Sequence, residues 1–95
     1  MALHFEWADS KALLSFRKHR VAFEEAATVF GDPLSLTIED PLHSDREDRY
    51  VTVGLSFRRR LLVVAHTHQG RVLRPISARE ATARERAAYE EGTVG

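Results

Sequence analysis

Residues 65 to 80, AHTHQGRVLRPISARE, concentrate side chains that can hold an anion or move a proton. His66 and His68 are two positions apart, so both rings project from the same side of a β-strand. Imidazole titrates near neutral pH, and a guanidinium binds phosphate through paired N–H groups without losing its proton. The arginines of this stretch are Arg71, Arg74 and Arg79. Three interpretations follow: a metal site, a solvated pH-sensitive surface, or a cradle for a phosphodiester that is cut.

A metal site at His66 and His68 needs a third ligand. The nearest candidates in the sequence are the loop residues His43, Asp45 and Glu47, and no recognised metal-site spacing connects them. The chain has no cysteine, so no thiolate is present. A guanidinium beside the two histidines would also oppose a bound cation. We therefore predict neither a metal nor a cofactor.

Cleavage of RNA without a metal requires a base for the 2′-hydroxyl proton, an acid for the leaving oxygen and cations for the phosphate. We take His66 as the proton-transfer residue, with Glu47 as an alternative base. Arg74 and Arg79 are the candidates for holding the phosphate. A helix beginning just before Arg79 would add free N–H groups that favour an anion. The same residue types are equally compatible with a solvated strand face.

Length and composition are those of one small domain spanning residues 1–95. The chain is 43% hydrophobic and has zero formal net charge. Zero net charge is a weak argument against non-specific nucleic-acid binding, which depends on many phosphate contacts. Basic residues nevertheless gather at 58–60 and 71–79, which suits a protein that holds one short anionic segment. Without a signal peptide or a long apolar run, we expect a soluble, cytoplasmic protein with no membrane contact.

Two helices are predicted before the sheet. The first, KALLSFRKHR, begins at Asp9 or Ser10 and carries cations in its last turn, where the helix dipole favours them. Its apolar stripe consists of Leu13, Leu14 and Phe16. The second helix, AFEEAATVF, ends at a Gly-Asp-Pro turn.

The remaining segments predict strands and one more helix. HFEW is a short edge strand, and three or four further strands are expected in LSLTIED, RYVTVGLSF, LLVVAHTH and RVLRPIS. Ser77 and Glu80 are spaced as a capping box for a C-terminal helix, AREATARERAAYEE. The predicted fold is therefore α+β, with a small antiparallel sheet of three to four strands, two N-terminal helices and one C-terminal helix.

The hairpin register decides which sheet face is open. With Gln69 and Gly70 as the turn, His68 pairs with Arg71 and His66 pairs with Leu73. These residues then share an open polar face, whereas the face that carries Val63 and Ala65 is the core. Arg74 fits the core face poorly, so it must reach an edge, pair with an acid, or indicate another register. A slip of one residue would exchange the two faces.

Several separated motifs together resemble the BrnT family of bacterial toxins. The match runs from Phe5 to Gly92. Its most specific parts are KH at Lys18–His19, FEEA at Phe23–Ala26, DP at Asp32–Pro33, the Glu47/Arg49 pair before Gly54, and RPISAR at Arg74–Arg79. Because these motifs occur in the right order, the resemblance is far more specific than any one of them.

The resemblance implies the toxin of a type II toxin–antitoxin system, a ribonuclease with a RelE-like fold that stops translation. It implies a BrnA-like ribbon-helix-helix antitoxin, two copies of each protein in the complex, and contact with operator DNA only through the antitoxin. It also carries over five candidate site residues: His19, Glu47, Arg49, Arg74 and Arg79. On chemical grounds we add His66 as catalytic, and His68 and Arg71 as RNA-binding residues.

The sequence departs from the family pattern at two places. Family members often read HTERG where this chain reads HTHQG, so Gln69 stands at a usual arginine position. Arg20 replaces the commoner glycine after the KH pair. Two alternatives to a metal-independent ribonuclease stay open. One is a non-catalytic partner that adjusts the antitoxin's binding to DNA, and the other is a metal-dependent hydrolase that uses His66 and His68.

Overall fold

The computed structural model describes residues 3–41 and 48–92, which form three helices, a 3-10 turn and one five-stranded sheet. The helices are α1 (Asp9–His19), α2 (Phe23–Thr28) and α3 (Ala83–Glu90), and the 3-10 turn is Val29–Gly31. The strands are β1 (His4–Phe5), β2 (Leu36–Glu39), β3 (Arg49–Leu55), β4 (Leu61–Gln69) and β5 (Val72–Glu80). None of the helices in the described ranges is long and apolar enough to cross a membrane.

The sheet has the order β1-β5-β4-β3-β2. Neighbouring strands from β2 to β5 are antiparallel, whereas β1 runs parallel to β5. The α+β class is confirmed, and HFEW does contribute an edge strand. The prediction of a three- to four-stranded antiparallel sheet is wrong, because the two-residue β1 joins the other four strands as a fifth and pairs in parallel with β5, which makes the sheet mixed.

The β4–β5 hairpin turns one residue later than predicted. Gln69 pairs with Val72, so the two-residue loop is Gly70–Arg71, with Gly70 supplying a positive φ of 59° at its first position. His68 therefore pairs with Leu73 and His66 with Pro75. A bulge beside Ala65 and His66 then shifts the register, and Ala65 pairs with Ser77.

This register leaves each β4 side chain on the face where the predicted register placed it, because moving the turn by one residue changes each pairing by two positions. α1 and α2 cover the face of β4 that carries Leu62, Val64 and His66, and His66 is only 1% exposed. Thr52 of β3 is buried on the same side. The prediction of an open face with His66 on it is therefore wrong, because α1 and α2 cover this face and leave uncovered the face that carries Val63 and Ala65. The core cluster consists of Val21, Phe23, Ala26, Val29, Leu62, Val64 and Ala78.

The first helix packs against the sheet through small side chains. Ser15 is buried, Ala12 is partly buried, and the Ala78 amide of β5 donates to Ser15 Oγ at 3.1 Å. The predicted apolar stripe of α1 points away from the core: Leu13, Leu14 and Phe16 are all exposed.

The C-terminal helix starts later than predicted. Glu80 pairs with Leu62 and Arg79 with Val63, so residues 77–80 extend β5 rather than begin a helix. The capping box is Thr82 with Glu85: the Glu85 amide donates to Thr82 Oγ1 at 3.2 Å, and the Thr82 amide donates to Glu85 Oε1 at 2.8 Å. Ser77 and Glu80 have the same spacing, but pairing with β4 prevails over this local signal.

Candidate functional site

Three arginines from two strands share the sheet face that α1 and α2 leave uncovered. Arg49 of β3 pairs with Thr67, and Thr67 pairs with Arg74 of β5. Arg79, further along β5, pairs with Val63. Side chains alternate along a strand, so these residues project from the face opposite to the buried Val64 and His66. Arg74 and Arg79, which were predicted to hold one phosphate, thus lie on the same sheet face together with Arg49.

Two adjoining hollows occupy this face, and we call them together the arginine groove. One, of about 410 Å³, has an apolar floor of Val51, Val63 and Ala65, with Arg49 and Arg79 on its walls. The other, of about 520 Å³, extends past Arg74 to the start of α1. Arg49 lines both hollows, so they meet at this side chain. Further lining residues include Trp7, Lys11, Asp40, Asp48, Gln69 and Glu85.

Arg79 is held by a carboxylate of α3. Its Nη1 and Nη2 donate to the two oxygens of Glu85, both at 2.8 Å. The hydrogen bonds from Arg79 lower the pKa of Glu85 to about 2, although partial burial opposes the shift. Glu85 in turn raises the pKa of Arg79. Arg79 is therefore a fixed cation whose paired N–H edge already holds an anion, and a phosphate on that edge would replace Glu85.

Arg49 lies deeper in the groove and is less completely paired. Its side chain is 18% exposed, and Nε lies 3.6 Å from Asp40 Oδ2, which is too long for a hydrogen bond. Arg49 Nε is buried and has no hydrogen-bond partner in the described part of the chain. A buried donor without a partner costs free energy, so an anionic oxygen at this position would be stabilised.

Arg74 forms a surface ion pair. Its Nε and Nη2 donate to Glu6 Oε1 at 3.2 and 2.9 Å, and both side chains are exposed. The contact with Arg74 lowers the pKa of Glu6. Exposed pairs of this kind are weak, so Arg74 can exchange its carboxylate for a phosphate at little cost.

His66 lies on the other side of the sheet, in a closed environment. Its Nε2 is 2.8 Å from Thr52 Oγ1, and the Phe30 ring meets it edge-on with centroids 5.0 Å apart. Burial lowers the pKa of His66 to about 4, so the ring is neutral at pH 7. The strand backbone separates it from the arginines, which is why we do not retain His66 as a proton-transfer residue for a substrate in the groove.

The other predicted residues are dispersed. His68 faces the same side as His66, with ring centroids 6.4 Å apart. His19 ends α1 on the helix side and is partly buried. Arg71 is exposed in the β4–β5 loop, outside the groove lining. Glu47 lies outside the described residues, although its neighbour Asp48 lines the groove.

Sequence reasoning missed several groove residues. Asp40 and Glu85 are the carboxylates nearest to Arg49 and Arg79, and both contacts join different elements. Glu85 did carry one signal, because Thr82 and Glu85 also have capping-box spacing. Lys11 and Trp7 reach the groove only because α1 begins beside β5. Over residues 3–41 and 48–92, no group of three His, Asp or Glu side chains is placed to hold a metal.

Comparison with known proteins places the chain among bacterial toxins. A family model described as "Ribonuclease toxin, BrnT, of type II toxin-antitoxin system" matches residues 7–85. A match over this share of the chain defines the class, the toxin of a type II toxin–antitoxin system. The chain belongs to the BrnT family, as its motifs indicated, and a protein of this class has an antitoxin partner.

A solved structure supports the fold. The 1.1 Å crystal structure of the Brucella abortus ribonuclease toxin BrnT superimposes with a TM-score of 0.66 at 18% sequence identity. The match covers 85% of this chain and 99% of the Brucella chain. No curated protein sequence matches this chain.

Proposed function

We propose that this toxin is a metal-independent endoribonuclease whose arginine groove holds single-stranded RNA, and that the toxin domain spans the whole chain. The observation that carries the proposal is the placement of Arg49, Arg74 and Arg79 along the arginine groove, on the sheet face that α1 and α2 leave uncovered. Guanidinium groups suit a phosphate, and an apolar floor suits the flat face of a base. Membership of a family described as ribonuclease toxins supports the same conclusion.

In the proposed reaction, Arg49 and Arg79 hold the scissile phosphate and stabilise the negative charge that builds on its oxygens. The 2′-oxygen attacks phosphorus while the bond to the 5′-oxygen breaks. Glu47 takes the 2′-hydroxyl proton, and water supplies a proton to the leaving oxygen. The role of Glu47 is proposed from its place in the family motif. Arg74 and Lys11 bind the neighbouring phosphates, and Arg71 is an outer contact. His19 and His68 have no part, because they lie on the helix side.

The experiment is cleavage of a single-stranded RNA by the purified toxin, with a chelator present. We expect Arg49→Ala and Arg79→Ala each to lower the cleavage rate by about 10²- to 10³-fold, the typical effect of losing one donor to transition-state charge. Arg17→Ala is the matched control, because Arg17 is an exposed arginine of α1 outside the groove.

Equal cleavage by the groove variants and by Arg17→Ala would contradict the proposal, as would complete loss of cleavage with the chelator. Arg49→Ala and Arg79→Ala expressed without antitoxin should be harmless to cells, whereas the unaltered toxin and Arg17→Ala should arrest growth and translation. We further propose a RelE-like fold and a cytoplasmic location. The proposed partner is a BrnA-like ribbon-helix-helix antitoxin that forms a complex with two copies of each protein and makes the contacts with operator DNA.

One observation favours a non-catalytic alternative. Arg79 and Arg74 are already paired with Glu85 and Glu6, so the groove is partly neutralised by the chain's own carboxylates. In that case the toxin would only modulate the antitoxin's binding to operator DNA. This alternative predicts no RNA cleavage at high protein concentration, together with tighter operator binding when the two proteins are mixed.

A further inference from the structure

The outer face of α1 carries large apolar side chains that the fold does not use. Leu13, Leu14 and Phe16 are 50%, 66% and 40% exposed. The side of α1 that packs on the sheet is instead built from small or polar residues, among them Ala12 and Ser15. A helix normally buries its apolar stripe, so this reversed arrangement indicates a surface that another molecule covers.

Cations surround these apolar residues. Arg17 lies four positions after Leu13 and three after Leu14, and Lys18 lies four after Leu14, so all of them project together from one side of the helix. Neither Arg17 nor Lys18 pairs with a carboxylate in the described part of the chain. Arg20 packs over the Phe16 ring, with Cζ 5.7 Å from the centroid. We call Leu13, Leu14, Phe16, Arg17, Lys18 and Arg20 the α1 outer face.

We propose that the α1 outer face is the docking surface for the antitoxin, and that it receives an amphipathic antitoxin segment with apolar residues at helical spacing flanked by Asp or Glu. The apolar residues suit the buried stripe of such a segment, and the cations suit its acidic flank. The inference rests on the antitoxin partner that the toxin class implies, and it does not depend on RNA cleavage.

The position of this face has a functional consequence. The α1 outer face points away from the sheet, and the arginine groove lies on the sheet face that α1 does not cover. RNA and antitoxin therefore contact different side chains, and antitoxin binding can be removed without removing any groove residue. Only the first turn of α1 approaches the groove, through Ala8 and Lys11.

The test measures binding of the purified full-length antitoxin, encoded beside this toxin, to the toxin and its variants by titration calorimetry. We expect Leu14→Asp to weaken binding by at least about 30-fold, because it places a charge in the apolar centre of the interface. Arg17→Glu should weaken binding by about 10-fold, with a larger effect at low salt. Cells that produce Leu14→Asp should arrest even when the antitoxin is produced with it.

Leu34→Asp is the matched control, since Leu34 is 68% exposed and precedes β2 at the opposite edge of the sheet from α1. It should bind like the unaltered toxin. Thermal unfolding of each variant checks that it is folded. If Leu14→Asp is unfolded, Leu14→Ser is tested in its place.

Unchanged antitoxin affinity in Leu14→Asp overturns the proposal. So does a toxin homodimer that Leu14→Asp dissociates while antitoxin affinity persists, because the face would then belong to a second copy. Loss of RNA binding without loss of antitoxin binding would assign the face to nucleic acid and would equally overturn it. If neither the unaltered toxin nor any variant cleaved RNA, the proposed function would be contradicted and the antitoxin docking surface would not.

Discussion

The chemistry of each ring or guanidinium in this toxin is set by the sheet face on which it lies. His66 is a suitable proton carrier by type, but inside the sheet it contacts Thr52 and Phe30 and is kept neutral. Arg49 and Arg79 project from the opposite face of the sheet, beside an open depression. The same residue types would exchange roles if the strand slipped by one position.

Burial of His66 predicts a stability that depends on pH. Its pKa of about 4 lies below the ordinary value of 6.5, so the unfolded chain takes up the proton first as the pH falls. The stability that neutral His66 contributes is fully present above pH 6.5. As the pH falls towards 4, the free energy of unfolding decreases by about 1.4 kcal/mol per pH unit. Urea unfolding from pH 7 to pH 4.5 measures this slope.

The matched variant is His66→Gln, which cannot titrate. Its free energy of unfolding should change little with pH over the same interval, because the lowered pKa values of carboxyl groups such as Glu85 affect stability only below about pH 4.5. Identical slopes in the two proteins would mean that His66 is not protonated on unfolding, contrary to its burial.

Arg20 gives a second prediction, which concerns the backbone. It ends α1 in the left-handed conformation, with φ 62° and its amide bonded to the Phe16 carbonyl at 2.7 Å. Glycine takes this conformation without a Cβ clash, so it is the favoured residue at such a helix end. We expect Arg20→Gly to be more stable than Arg20→Ala by about 1 kcal/mol, since both lose the guanidinium and only alanine retains the strain. Equal unfolding temperatures for the two variants would argue against this backbone conformation.

Elements in this fold are joined by polar side chains as well as by the core. Glu25 of α2 is buried, and Arg60, from the turn before β4, donates to it through Nε at 3.0 Å. Ser56 Oγ also donates to Glu25, at 2.7 Å. These contacts lower the pKa of Glu25, with Arg60 as the main cause, and they tie α2 to the β3–β4 turn.

Loss of Arg60 would leave a buried carboxylate without its cation. We expect Arg60→Met to lower the free energy of unfolding by about 3 kcal/mol, and Glu25→Gln in the same chain to restore part of that loss. Arg59→Met is the control, because Arg59 is exposed in the same turn. If Arg59→Met and Arg60→Met were equally stable, the link between α2 and the turn would have no energetic importance.

Most helices and strands could be predicted from the sequence, whereas the sheet face that α1 and α2 cover could not. Helix and strand periods located α1, α2, β3 and β4. The start of β4, however, is apolar at four successive positions, Leu61 to Val64, so alternation does not select a buried face. The bulge next to His66 then changes which β5 residues share a face with β4, and it depends on tertiary pairing.

Part of the site could likewise be anticipated. The family motifs identified Arg49, Arg74 and Arg79, which share the groove. Charge and periodicity did not identify Asp40 or Glu85 as their neighbours, because these contacts join residues from different elements. The apolar stripe of α1 was visible in the sequence, but its exposure follows only from the small residues on the packed side of the helix.

At the scale of the whole molecule, the toxin has two surfaces of different chemistry. One sheet face carries the arginine groove, and the helices on the other face present the apolar and basic residues of α1. In the proposed arrangement, one small domain holds RNA and a protein inhibitor through different side chains. It also means that the two functions can be disabled one at a time.

The most direct test of this arrangement is NMR observation of the arginine Nε–H signals during titration with a non-cleavable, 2′-O-methylated single-stranded RNA. The signals of Arg49, Arg74 and Arg79 should shift together, with apparent affinity falling as salt rises. Those of Arg17 and Arg20 should not move. Shifts at Arg17 and Arg20 with none at Arg49 and Arg79 would place the RNA on α1 and contradict the assignment of the arginine groove.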